Sequence, residues 1–241
     1  IAPFTLAPDV TKVSKSLRDQ VRSEAESTGL EIIGLHWLLA KTEGYHLTSS
    51  DASIRRRTAL YLIELAKLCR DLGGSIMVFG SPPQRNREPD VSLEAATDNA
   101  VDVLSEALPA LEDFSVTLAM EPLAPNETDF LTTAAETVAL IERLDSPACR
   151  LHLDVKAMAS ESDSAADLIR RYAAHLAHFH ANDPNLQGPG FGDEDFVPIF
   201  KALREVNYGG WISVEVFDYK PGIERLVRES MQYMEEVEAQ T

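Results

Sequence analysis

Four apolar stretches of this chain each end in a side chain that can bind a cation. VTLAME closes on Glu121, RLHLD on Asp154, LAHFH on His180 and WISVE on Glu215. Period-2 alternation marks each stretch as a strand. Pro122 stops the first, because proline has no N–H to give to a sheet ladder. A charge at the end of a buried strand is costly unless a partner neutralises it. A single acidic strand end reads as a solvated residue at a loop start. Repetition on four successive strands instead predicts a ligand set for one divalent ion. Three oxygen donors and one nitrogen, with no thiolate, suit Mn²⁺, Mg²⁺ or Co²⁺ better than structural zinc, although Zn²⁺ is compatible. Such an ion polarises a substrate carbonyl and stabilises an enediolate oxyanion. Glu121 and Glu215 would then face each other across the substrate. One removes the proton next to the carbonyl, and the other returns a proton to the opposite face or to the neighbouring carbon.

The elements that position these groups alternate along the chain. Strands are predicted at residues 1–7, 30–35, 75–80, 116–121, 149–154, 176–180 and around 211–217. Helices are predicted over 10–28, from a cap at Ser49, Ser50 or Asp51 to Leu72, over 92–111, 131–144, 165–174, 197–206 and 222–238. Seven strands interleaved with helices and free of hairpin signals mean a parallel sheet with helical crossovers. An open doubly wound sheet and a closed (β/α)8 TIM barrel compete. Ligands from four successive strand ends favour the barrel, where all C-terminal strand ends meet at one mouth. A barrel has eight strands, so the first is expected to lie before Ile1. No linker, repeat or composition shift divides residues 1–241, which read as a single domain.

Composition narrows the partners. With 22 Lys+Arg against 39 Asp+Glu the net charge is -17, which argues against a nucleic-acid backbone as the main partner. No apolar run approaches the roughly 20 residues of a membrane helix. Cys69 and Cys149 are far apart in sequence and read as buried thiols of a reducing cytoplasm. A small carbohydrate fits as partner, and a homo-oligomer is compatible.

The motifs EPLxxNE, LHLD, HFHANDPNxxGPGxGD and SVEVF resemble the sugar isomerase/epimerase superfamily with the xylose isomerase-like TIM barrel, over nearly the whole chain. The resemblance implies that Glu121, Asp154, His180 and Glu215 are metal ligands and that Glu121 and Glu215 are the acid/base pair of a ketose 3-epimerase. It also implies that Glu127 binds substrate hydroxyls; a solvated helix-start glutamate is the competing reading. This chain departs from the pattern at Ala157, where many members have His, and at Leu186, where some ketose epimerases have Arg. Lys156 could stand in as a donor, against the plainer reading of a surface lysine. Beyond the motifs, His36 and Trp37 follow a strand and are expected to wall the mouth. Arg85, in SPPQRNRE, is placed to hold a carboxylate or phosphate on the substrate. Asp183 is expected to line the mouth, with turn capping as its alternative. The glycine-rich loop at 188–192 reads as a lid, since it lacks the lysine of a phosphate loop. A metal-dependent lyase of the keto-inositol or dehydroshikimate type needs the same first proton abstraction. A repair endonuclease of this fold would need more histidines and a basic face. An accessory barrel that had kept its metal but not its substrate groups is a further alternative.

Overall fold

The computed structural model describes residues 1–241. Its strands are β1 (Gly34–Leu35), β2 (Ile76–Phe79), β3 (Thr117–Met120), β4 (Cys149–Asp154), β5 (Leu176–Ala181) and β6 (Ile212–Val214). All neighbours are parallel, in the order β1-β2-β3-β4-β5-β6. Between and after them run α1 (Lys15–Ser27), α2 (Ala52–Asp71), α3 (Leu93–Phe114), α4 (Ala134–Leu144), α5 (Val155–Met158), α6 (Ala165–Tyr172), α7 (Phe196–Glu205) and α8 (Ile223–Glu238). Local chemistry sets their starts. Ser14, Asp51, Ser92, Thr133, Ser164 and Asp195 each accept a first-turn N–H and so cap α1, α2, α3, α4, α6 and α7.

Alternation along the strands separates two environments. Met77, Phe79, Leu118, Met120, Leu151, Leu153 and Phe179 join helix side chains in one core of 50 buried residues. The intervening Ile76, Val78, His178, His180 and Ser213 line an interior cavity of about 390 Å³. The sheet is curled. In a flat sheet of six strands the outer two would stand about 24 Å apart at ordinary strand spacing. Here His36, just after β1, has its Nδ1 only 3.1 Å from Oε1 of Glu215, just after β6. That contact rules out the open, doubly wound alternative.

Three expected strands shrink, the last of them to Ile212–Val214. Residues 1–7 do not form one: Pro3–Thr5 is a 3₁₀ turn, which suits a residue with fixed φ and no N–H. Only Ile1 lies along β1, donating from its amino group to Gly34 O at 2.9 Å and accepting from His36 N at 3.1 Å. The strand expected at 30–35 is confined to Gly34–Leu35. The sheet therefore has six assigned strands and not seven. Glycine is required at 34, since a Cβ there would lie 1.9 Å from Ile76 O on the neighbouring strand.

Glu88, in the loop after β2, ties that loop to the start of α2. It accepts from Ser49 Oγ at 2.6 Å, from Ser50 N at 3.0 Å and from the Ser50 hydroxyl. These bonds hold its carboxyl at about 2, down from 4.5.

Two outcomes follow from this frame. Gly34→Ala should lower the unfolding free energy by about 3 kcal/mol or more, the upper end of overpacking effects, read from urea denaturation. A depressed carboxylate contributes stability that is complete above its ordinary value and fades as pH falls through its folded value. Wild-type stability should therefore decline between pH 4.5 and about 2, and Glu88→Gln should flatten part of that slope in acid titrations followed by circular dichroism.

Candidate active site

The backbone carries each chemical group to the same end of the sheet. Glu121 follows β3 and stays in register with β2 through its N–H, which donates to Phe79 O at 3.1 Å. Gly80 gives it room, since a Cβ there would come within 2.4 Å of Glu121 Oε2. Asp154 ends β4; its Oδ1 accepts from Ala157 N at 2.9 Å, capping α5, and its Oδ2 accepts from Asn182 Nδ2 at 2.6 Å. On β5 the register against β4 skips one residue. Leu151 pairs with Leu176, but His152 pairs with His178 and Asp154 with His180. The surplus Ala177 forms a β-bulge that re-aims the histidines beside the β4 groups.

Glu121, His152, Asp154 and His180 each place one ligand atom within 4.8 Å of the other three, and all four residues are buried. Glu215 stands at the flank of this cluster. Its Oε2 lies 3.1 Å from His180 Nδ1, while its Oε1 accepts from Trp37 Nε1 at 2.9 Å and lies 3.1 Å from His36 Nδ1. So three of the four expected ligands come together directly, and the fourth is joined through His180. His152, His178 and Ser213 stand two residues before Asp154, His180 and Glu215, and the two-residue repeat of a strand predicts that they form a layer beneath. His178 and Ser213 do pair there, Ser213 Oγ to His178 Nε2 at 3.1 Å. The His152 ring instead sits edge-on to His180, with centroids 4.1 Å apart.

With protein groups alone the charges do not balance. Burial, then the charges of Asp154 and Glu215, hold the Glu121 carboxyl well above its usual range. Burial would also raise Glu215, but bonds to His180 and His36 overcome it and leave this carboxyl far below its usual range. His180 is driven down by burial, yet Asp154 and Glu215 carry it up to about 10. Burial and the neighbouring histidines depress His152 far below an ordinary imidazole. Neither ring nitrogen of His152 has a hydrogen-bond partner. Crowded carboxylates beside an unsatisfied neutral imidazole are a donor set that a divalent cation fits.

Above the cluster opens a cavity of about 280 Å³, lined in part by Trp37, Glu121, Glu127, Lys156, Glu215 and Phe217. Trp37 adopts a left-handed φ of 55°, unusual for a bulky side chain, and lies between Phe4 and Phe217 with centroids at 5.9 and 6.2 Å. Glu127 reaches the cavity and is held by Lys156 Nζ at 2.8 and 2.9 Å. Lys156 is therefore not a surface lysine: its side chain is 12% exposed. The departure at Ala157, which made Lys156 a candidate stand-in donor, was the signal for it in the sequence.

Two expected substrate contacts are corrected. Arg85 does not reach the mouth. It is fully buried, with Nη1 donating to Gly80 O at 3.0 Å and Glu121 O at 2.7 Å, and Nη2 to Leu131 O at 3.4 Å. The carbonyls of Gly80 and Glu121, just past the ends of β2 and β3, explain the reversal, since Arg85 is the donor that satisfies them. Asp183 follows its alternative reading: Oδ1 accepts from Asn185 N at 3.1 Å and Oδ2 from Glu194 N at 3.2 Å. The loop read as a lid packs down, with Gly190 against Tyr233 and Gly192 on the Asp183 carboxylate.

A curled parallel sheet with cation-binding groups gathered at its C-terminal rim defines a TIM-barrel type of active site. The chain belongs to the family described as xylose isomerase-like TIM barrel, which matches residues 2–237. It is 30% identical over 177 residues to a D-psicose 3-epimerase of Agrobacterium fabrum, covering 71% of this chain and 60% of that protein. To an L-ribulose 3-epimerase of Mesorhizobium japonicum it is 31% identical over 179 residues, covering 71% of this chain and 58% of that protein. The chain thus spans about 60% of the length of these curated relatives. A crystal structure of D-psicose 3-epimerase in the presence of D-fructose superposes with a TM-score of 0.85 at 21% identity, covering 99% of this chain and 88% of that one. The barrel fold expected from the sequence is the fold of the family. No helix is long and apolar enough to cross a membrane.

The buried guanidinium gives a direct check. Arg85→Leu should lower the unfolding free energy by about 3 kcal/mol or more, because each carbonyl left dry costs about 1–3 kcal/mol. Arg85→Lys should recover only part of the loss. Chemical denaturation of the three proteins measures both.

Proposed function

We propose that this chain is a metal-dependent epimerase of ketoses, inverting the stereocentre next to the carbonyl. The observation that carries the reading is that Glu121 and Glu215, from separate strands, line one cavity beside the ligand cluster. The epimerase names of its relatives support it. A 2-ketose has one stereocentre adjacent to its carbonyl, carbon 3, so a pair of proton-transferring carboxylates acts there. One divalent cation, Mn²⁺ in this reading and Mg²⁺, Co²⁺ or Zn²⁺ as alternatives, supplies when bound the positive charge that acidifies the adjacent C–H. Glu121, Asp154, His180 and Glu215 would hold it.

This chain's own groups divide the remaining work. His36, Trp37 and His180 fix Glu215 in its ionised form, which is the form that accepts a proton from carbon 3. Glu121 returns a proton to the opposite face, and the roles exchange in the reverse direction. Glu127, oriented by Lys156, accepts from a hydroxyl further along the sugar. Lys156 has donors left over for a neighbouring oxygen. Trp37 and Phe217 offer an apolar wall to the sugar's C–H face. The buried, unpaired thiols of Cys69 and Cys149 accord with a reducing cytoplasm.

The lyase alternative is not carried forward, because no relative described above bears such a name and nothing in the cavity favours loss of a hydroxyl. The test is incubation of the metal-loaded protein with ketoses in D₂O. Carbon 3 should gain one deuterium with inversion; a product lighter by water, or no exchange across a broad panel, overturns the reading. Glu121→Gln and Glu215→Gln should each slow exchange by about 10²–10⁴-fold, and a chelator should abolish it reversibly. Lys156→Met should raise KM about tenfold while changing kcat little, the signature of lost uniform binding.

A further inference from the structure

Resting on the epimerase reading above, we infer that the ketose this site takes carries a second sugar ring. That ring is joined through oxygen 1 of the ketose and lies on Phe4 and Trp37.

A row of aromatic rings with a lysine at each end runs along the mouth. Lys41 Nζ lies 4.2 Å from the centre of the Phe4 ring. Phe4 stacks on Trp37 at 5.9 Å with 29° between their planes, and Trp37 on Phe217 at 6.2 Å and 21°. At the far end Lys156 Nζ lies 5.0 Å from the centre of Phe217 and 2.8 Å from Glu127 Oε2. Near-parallel rings with centroids this far apart overlap only at their edges, so the row is a stepped platform whose faces stay partly open. Open aromatic faces suit the C–H side of a sugar ring, leaving its hydroxyls to polar neighbours.

The row is longer than the proton transfer needs. Glu215 meets it at Trp37, whose Nε1 donates to Glu215 Oε1 at 2.9 Å. Phe217, Lys156 and Glu127 extend it on one side and serve a single ketose. Phe4 and Lys41 extend it on the other side, past the groups that move the proton. Backbone strain is spent there. Trp37 and Lys41 hold left-handed φ values of 55° and 60°, which non-glycine residues adopt at a cost. Trp37 also stays 39% exposed, so the protein does not cover the face it pays to present. Strain that brings an open indole and an ammonium to one phenyl ring is accounted for by a ligand resting on them.

The order of groups along the row fixes the linkage. Glu127 takes a hydroxyl beyond carbon 3, so the carbon chain runs from Glu215 toward Glu127. Carbon 1 then points the opposite way, toward Phe4. Oxygen 1 is where a second ring joins without displacing the hydroxyl that Glu127 holds. Carbon 3 and the carbonyl remain free, and Lys41 donates to a hydroxyl of the added ring.

The experiment follows exchange at carbon 3 in D₂O with the metal-loaded chain and three substrates. These are D-fructose, glucosyl-fructose joined through oxygen 1 (trehalulose) and glucosyl-fructose joined through oxygen 6 (isomaltulose). kcat/KM for the oxygen 1 isomer should exceed that for fructose by about tenfold, the size of one good stacking contact. The oxygen 6 isomer should fall below both, because its second ring must enter where Glu127 and Lys156 sit. Phe4→Ala should raise KM for the oxygen 1 isomer about tenfold with kcat little changed, and leave fructose within about twofold. Phe4→Tyr should restore the wild-type preference. Should Phe4→Ala fail to fold, Lys41→Ala, at an exposed residue, takes its place, with KM rising about threefold for the oxygen 1 isomer alone. Fructose exchanged as well as the oxygen 1 isomer, a preference for the oxygen 6 isomer, or equal losses on both substrates in the variant overturn the inference and leave the epimerase reading standing. Exchange with none of the three substrates overturns that reading, and this inference with it.

Discussion

Ionisable groups packed where water is excluded set the terms for this molecule. Glu121, Asp154 and His180 are almost fully buried, and a carboxylate taken out of water with no compensating charge is strongly disfavoured. The fold answers partly by itself. Asp154 takes two N–H donors, Glu215 takes bonds from a tryptophan and the adjacent histidines, and His180 is held charged between carboxylates. What remains is a shortfall of positive charge centred on Glu121 and an idle imidazole at 152. Structure and chemistry meet at that shortfall: the interior is stable to the degree that a cation or a proton fills it.

The supporting shell is built to resist rearrangement. Arg85 threads beneath the rim and binds the carbonyl of Glu121 itself, so the backbone at this residue is fixed from below while Gly80 clears space for the side chain. Asn182 joins Asp154 to the N–H of Lys156, locking the ends of β4 and β5 together. Lys156 then orients Glu127 above the cavity. A chain of contacts therefore runs from the dry interior to the mouth without relying on exposed salt bridges, which contribute little.

Much of this was legible in the sequence. Strand-closing Glu121, Asp154, His180 and Glu215 were visible as breaks in apolar alternation, and CRLHLD, the strand expected at 149–154, matches β4 residue for residue. The start of α2 was visible in the cap candidates at 49–51, of which Asp51 serves, whereas α1 and α4 begin at Lys15 and Ala134, later than the expected 10 and 131. Other features depend on contacts remote in sequence, which periodicity does not encode. Residues 1–7 alternate like a strand, but Pro3 and pairing with β1 through Ile1 alone decide otherwise. Arg85 read as a substrate-binding cation because its partners, the carbonyls of Gly80, Glu121 and Leu131, come from three different segments. His152 looked like a lower-layer residue because two-residue spacing predicts facing, not how far a ring reaches along the axis.

The bulge at Ala177 has a bearing on how this scaffold tolerates change in length. Because facing on a strand repeats every second position, one surplus residue would turn over everything downstream on β5, and the bulge absorbs it. Deleting Ala177 would leave Leu176 opposite Leu151 and His178 opposite His152 in a regular ladder, with the imidazoles at 178 and 180 still facing the axis. Removing a second residue as well would shift the phase and turn those imidazoles outward. Redesign of this segment is thus governed by whether an odd residue can be bulged out more than by the identity of the residue removed.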